Sequence, residues 1–153
     1  MEVFTDASFD PKSKTGSWAA IILHKGKEEL LSEVLQDISQ HGMELFSILQ
    51  CLKYIENNYS AAEKIRVYTD SEYVENLPLR RNKLEKSGFL SKKGKRIAHT
   101  KLIQNFFRLM DSLPVELVRV SGHQKSGVSK ITDYNRRVDK FSRKILREKI
   151  RNR

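Results

Sequence analysis

Residues 64–70, KIRVYTD, decide how this chain folds. Ile65, Val67 and Tyr68 give the segment the β-branched and aromatic character of a strand. The preceding helical pattern sets its direction. From Gly42 to Asn58 the apolar residues Met43, Leu45, Phe46, Ile48, Leu49, Leu52 and Ile55 recur at helical spacing. A strand that follows a helix and returns to the same sheet does so by a right-handed crossover, and lies parallel to its partner. Earlier still, EVFTDASF (2–9), SWAAIILH (17–24) and EELLSEVLQDI (28–38) read as three strands joined by the short turns DPKSKTG (10–16) and KGK (25–27). These predict an antiparallel meander.

Beyond residue 70 come SEYVENL, Pro78, a basic stretch LRRNKLEKSGF with a helix stop expected at Gly88, and the basic loop LSKKGKR. Leu102, Ile103, Phe106, Phe107 and Met110 share one stripe of a helix predicted over Ala98–Ser112. PVELVRVS (114–121) reads as the last strand and GHQKSGVSKITD (122–133) as a loop. The basic C-terminal helix is expected at about 133–151. The order predicts an α/β domain, a mixed five-stranded sheet of meander plus parallel strands, flanked by helices. No repeat or linker divides residues 1–153, so a single domain is expected.

Composition narrows function. A hydrophobic share of 39% beside 31% charged residues is that of a folded soluble protein rather than a disordered one. No segment reaches the roughly 18 apolar residues of a membrane span, and MEVFTDASF lacks the features of a secretory signal. A cytoplasmic location with no membrane partner is expected. Cys51 is the one cysteine, on an apolar helix face, which excludes an internal disulfide. The net charge of +10 favours polyanions. Of 29 basic residues, nine lie in a stretch at about 78–101 and twelve in residues 119–153. Two basic runs bracketing a candidate site point to nucleic acid.

Four carboxylates stand out. Strand alternation places Asp6 with Phe4 and Ser8 on one sheet face, where an ionised group must be paired, hydrogen-bonded or bound to a cation. Asp70 ends the KIRVYTD strand, and the carboxyl ends of parallel strands form binding edges. It could also be an ordinary helix cap before SEYV. Glu44 falls in the first predicted turn of its helix, where it could merely complement the dipole. Asp139 lies on the last helix among many bases.

Together with their order, FTDAS, MEL, YTDSEYV, VSGH and NRRVD resemble the type 1 ribonuclease H family from Val3 to about Leu146. The resemblance implies that Asp6, Glu44, Asp70 and Asp139 form one metal-binding catalytic cluster. It implies two Mg²⁺ ions, with Mn²⁺ a possible substitute. Asp6 would bridge both ions, Glu44 and Asp70 completing one site and Asp139 the other. Ions about 3.5–4 Å apart can activate a water and stabilise the leaving oxygen of an in-line displacement. The expected reaction is hydrolysis of the RNA strand of RNA/DNA hybrids, leaving 5′-phosphate and 3′-hydroxyl ends. The resemblance also implies that His123, matching the family's loop histidine, is an auxiliary catalytic residue that assists proton transfer or product release.

The 78–101 stretch matches the family's basic protrusion, with Arg80, Arg81, Lys83 and Lys86 as expected phosphate contacts and Phe89 as an apolar contact to DNA sugars. Lys12 in the first turn, Gln40, His41, Glu72 and Asn135 complete the expected substrate-contacting set. Gln40, His41 and Gly42 stand where the family commonly has Asn-Asn-Arg, and Glu72 where Gln is usual. A monomer is expected. A nuclease of the same fold acting on branched or duplex DNA, and a non-catalytic nucleic-acid-binding domain, are the competing readings.

Overall fold

A computed structural model describes residues 1–60, 63–120 and 129–152. Its elements are β1 (Glu2–Asp10), β2 (Thr15–His24), β3 (Lys27–Gln36), α1 (Gln40–Asn58), β4 (Ile65–Thr69), α2 (Glu72–Lys86), α3 (Thr100–Ser112), β5 (Val115–Arg119) and α4 (Lys130–Arg151). The sheet order is β3-β2-β1-β4-β5. The first three strands form the predicted meander, and β4 pairs in parallel with both β1 and β5.

Alternation along β1 divides the molecule into two cores. Val3, Trp18, Ala20 and Ile22 pack with α1 and α3, where Ile48, Leu52, Ile103 and Phe106 are buried. On the opposite face Phe4, Ala19, Ile21 and Tyr68 meet Val138 of α4. Phe4 stacks on Tyr68 at 4.7 Å and on Tyr134 of α4 at 4.8 Å. Small polar residues let α4 approach closely: Ser8 and Ser142 share a hydrogen bond of 2.8 Å, and Ser17 Oγ donates to the Ser142 carbonyl at 2.6 Å.

Helix ends depart from the sequence expectations where side chains cap them. α1 begins at Gln40 because Ser39 Oγ accepts from the Gly42 amide at 3.0 Å. α4 begins at Lys130 rather than near 133, because Ser129 accepts from the Thr132 amide. Pro78 does not end its helix. It lies exposed on α2, while Val74, Leu77 and Leu84 anchor the other side. Gly88 stops that helix as expected, at φ +63°. The Gly88 amide donates to the Glu85 carbonyl, and the Phe89 amide to that of Leu84 at 2.8 Å, a Schellman motif.

Phe106 of α3 is fully buried in the core it shares with α1. Its replacement by Ala leaves a cavity expected to cost about 3–5 kcal/mol. Urea unfolding of Phe106→Ala checks this as a lower midpoint at unchanged slope.

Candidate active site

The parallel register of β1 and β4 builds the site. Val3 lies opposite Val67 and Phe4 opposite Tyr68, and the paired ladder stops there. Two residues further on stand Asp6, still within β1, and Asp70, just past the end of β4, so the same alignment carries both carboxylates to the edge where the chains part. β4 ends because Ser71 starts α2, its Oγ accepting from the Val74 amide at 3.2 Å. Ser71, not Asp70, is therefore the helix cap, and the capping explanation for Asp70 falls away.

Glu44 comes from α1. With the helix starting at Gln40, Glu44 stands past its first turn, which contains no acid. The dipole reading no longer accounts for it. Its Oε2 accepts a hydrogen bond from Ser71 Oγ. α1 is tied to β1 one residue before Asp6: Thr5 Oγ1 donates to Ser47 Oγ at 3.0 Å, and Ser47 Oγ donates to the Glu44 carbonyl at 2.8 Å. Asp139 arrives on α4, one turn before the Ser142 contact with the sheet. Arg143 Nε lies 3.0 Å from Asp139 Oδ1.

Electrostatics reflect this crowding. Burial first, then the charge of Asp70 and a hydrogen bond with Asp139, push the Asp6 carboxyl up to about 8. The protonated form of Asp6 is thus favoured at neutral pH, while the Ala7 amide donates to its Oδ1 at 2.9 Å. Desolvation also raises Asp70, reinforced by Asp139 and opposed by Arg119. A cluster of oxygen donors that holds a proton to relieve its own repulsion is chemically suited to a hard divalent cation. Among the described residues no three His, Cys, Asp or Glu are yet drawn together as a closed metal cage. Glu44 is engaged by Ser71 and Asp139 by Arg143. The donor types fit such a cation.

The expected substrate residues separate into groups. Gln40, His41 and Arg80 line a recess of about 540 Å³ together with Tyr73 and His99. His41 stacks on Tyr73 with ring centres 4.4 Å apart. His99, to which the sequence alone assigns no role, accounts for the glycine at position 42. A Cβ there would come within 2.8 Å of its Cε1. Its Nε2 is 2.8 Å from Ser39 Oγ, and burial followed by the neighbouring His41 lowers its pKa. Glu72 is exposed in the first turn of α2, and Lys83 and Lys86 are exposed further along it. Lys12 is exposed in the β1–β2 turn, and Asn135 lies one turn before Asp139 on α4.

Two of the expected contacts are engaged within the fold. Arg81 serves the fold: its guanidinium donates two 2.7 Å hydrogen bonds to Asp111 and one to Glu85, and lies 4.9 Å over the Phe107 ring. Phe89 is buried, because the Schellman motif turns it into the core beside Leu84 rather than out toward a ligand. His123 lies outside the described residues. Ser71 and Arg143 were missed; the capping position in TDSEYV and the i, i+4 spacing from Asp139 were the signals that could have found them.

A five-stranded mixed sheet with acids gathered where its parallel strands part is the ribonuclease H architecture. The solution structure of the PFV RNase H domain matches with a TM-score of 0.72 at 21% identity, covering 94% of this chain and 92% of that one. The foamy viral protease-reverse transcriptase in complex with RNA/DNA hybrid matches with a TM-score of 0.69 at 17% identity, over 94% of this chain and 19% of that one. At the sequence level, a model of the RNase H family matches residues 1–147, and the chain belongs to this family. A ribonuclease H of Caldicellulosiruptor saccharolyticus is 24% identical over 149 residues, 95% of each chain. One of Granulibacter bethesdensis is 34% identical over 76 residues, 50% of this chain and 48% of that one. The protein is thus a ribonuclease H, a nuclease. No helix among its described residues is long and apolar enough to cross a membrane.

The raised Asp6 pKa has a definite sign for stability. Between the unfolded value near 3.8 and about 8, the folded state holds a proton that the unfolded state has lost. The contribution of this group to stability therefore falls as pH rises through that window, and is fully lost above about 8. In chelator, the melting temperature should fall from pH 5 to pH 9 more steeply for wild type than for Asp6→Asn. Equal slopes in thermal melts would show that Asp6 does not carry this cost.

Proposed function

We propose that this enzyme hydrolyses the RNA strand of RNA/DNA hybrids with two divalent cations, Mg²⁺ or Mn²⁺, leaving 5′-phosphate and 3′-hydroxyl ends. We place it in the cytoplasm as a monomer. The reading rests on one observation above the others: the β1–β4 register that aligns Asp6 with Asp70 beside Asp139. The hybrid bound to the foamy viral relative supports the substrate class.

Asp6, Glu44, Asp70 and Asp139 would hold the cations, which when bound supply an activated water and charge stabilisation at the cleaved phosphate. The chain's own residues do the rest. Asp6, protonated while the cluster is empty, would have to be ionised to hold a cation. Ser71 orients Glu44 through its hydroxyl, and Arg143 neutralises Asp139 until that carboxylate is required. Gln40, His41 and Arg80, on the recess beside α2, contact the substrate, with Lys83 and Lys86 reaching phosphates along the same helix. Lys12, Glu72 and Asn135 complete the contact set, and His123 assists proton transfer or product release. Phosphate contacts by Lys and Arg make the grip salt-dependent.

The test is incubation with labelled hybrid, RNA duplex, DNA duplex and branched DNA. Cleavage of only the hybrid's RNA strand, dependent on Mg²⁺ or Mn²⁺, is expected; preference for branched DNA would replace this reading with the related nuclease activity. Asp70→Asn should lower cleavage by at least about a hundredfold, the order of loss when a group stabilising transition-state charge is removed, while hybrid binding persists.

A further inference from the structure

α4 carries more positive charge than its place in the fold requires. Across Lys130–Arg151 there are nine Lys and Arg against Asp133, Asp139 and Glu148. The apolar side of the helix is accounted for, since Val138 and Leu146 are buried and Ile131, Tyr134 and Phe141 pack against the sheet core. Arg137 turns to Glu28, with its Nη2 2.9 Å from Glu28 Oε2. Arg136, Lys140, Arg143 and Arg147, spaced by four, three and four residues, share the flank that also carries Asp139. With it and with Asp133 and Arg137 they line a concavity of about 690 Å³.

Helix energetics do not explain this flank. Cations complement the dipole only in the last turn, where Lys149 and Arg151 already stand. Arg136, Lys140 and Arg143 occupy the middle turns. There Arg136 faces Lys140, Lys140 faces Lys144 and Arg143 faces Arg147 at i, i+4 spacing, an arrangement that weakens a helix. Arg143 is paired with Asp139. Among the described residues, no salt bridge engages Lys140 or Arg147.

We propose that this flank is a second phosphate track, separate from the basic region of α2, that carries the nucleic-acid backbone away from the catalytic cluster along α4. The inference rests on the nuclease reading above. At 1.5 Å per residue, Arg147 lies about 12 Å along the helix from Asp139. That is roughly the rise of three to four nucleotides of one strand. A membrane surface fits less well, because the apolar side that would insert is already packed on the sheet. Continuity with Asp139 favours the substrate over an acidic protein.

The experiment measures binding of fluorescently labelled RNA/DNA hybrid by anisotropy across a salt series, in Mg²⁺, with Asp70→Asn present throughout to prevent cleavage. The comparison is between Lys140→Gln/Arg147→Gln and a control pair of equal charge change, Lys27→Gln/Lys53→Gln, on exposed positions elsewhere. Removing one side chain that holds a phosphate should make the slope of log K against log salt shallower by about 0.7–0.9, so the α4 pair should lose roughly 1.5 and the control pair little. Equal slopes for the two pairs would overturn the track. So would an unchanged hybrid slope accompanied by lost binding to phosphatidylserine vesicles, which would assign the flank to a membrane surface. Failure of the nuclease reading is seen separately, as wild-type protein that leaves the RNA of the hybrid intact.

Discussion

The in-register pairing of β1 with β4 is the constraint from which the rest follows. Parallel neighbours with Phe4 opposite Tyr68 bring equivalent positions side by side, so two similar phrases, FTD and YTD, place two acids at the same height on adjacent strands. Such an arrangement is costly by itself, since like charges in a partly desolvated pocket cannot all ionise. The aromatic stack of Tyr68, Phe4 and Tyr134 occupies the same face, fixing both strands and the helix that brings Asp139. Packing on one side of the pocket thus enforces repulsion on the other. The cluster can relieve that repulsion by holding a proton or by accepting a cation.

Much of this architecture was legible in the sequence because it rests on local periodicity. The meander, the parallel crossover and the α3 stripe each follow from spacing within a short window. What periodicity missed were capping contacts. Ser39 and Ser129 extended α1 and α4 toward their N-termini, and the buried faces of Val74, Leu77 and Leu84 carried α2 through Pro78. A proline removes one donor and crowds one carbonyl, a local cost that several anchored residues can outweigh.

The carboxylates were more legible than the substrate contacts for a related reason. Asp6 and Asp70 are placed by strand register, which sequence order largely determines. Arg81 and Phe89 occur in a basic segment whose composition suggests a ligand surface, yet a distant acid, Asp111, and a local turn draw them inward. Composition reports that a surface is charged, but not which members of it are already engaged. The same distinction separates Arg137, held by Glu28, from Lys140 on the neighbouring flank.

The turn that buries Phe89 also has a bearing on how this protein can diversify. The Phe89 carbonyl accepts from the Ile97 amide at 2.8 Å, and Leu90 bridges Arg96, so residues 90–96 close on themselves above a core-anchored base. Ser91 accepts at its carbonyl from Gly94 and donates its amide to Lys95, which completes the closure within the segment. Lys92, Lys93, Lys95 and Arg96 therefore belong to an appendage whose ends meet at the Phe89–Ile97 and Leu90–Arg96 contacts. Lengthening, shortening or recharging it would leave the sheet and its acids untouched. Evolution can thereby vary the handle of the enzyme without reworking its blade.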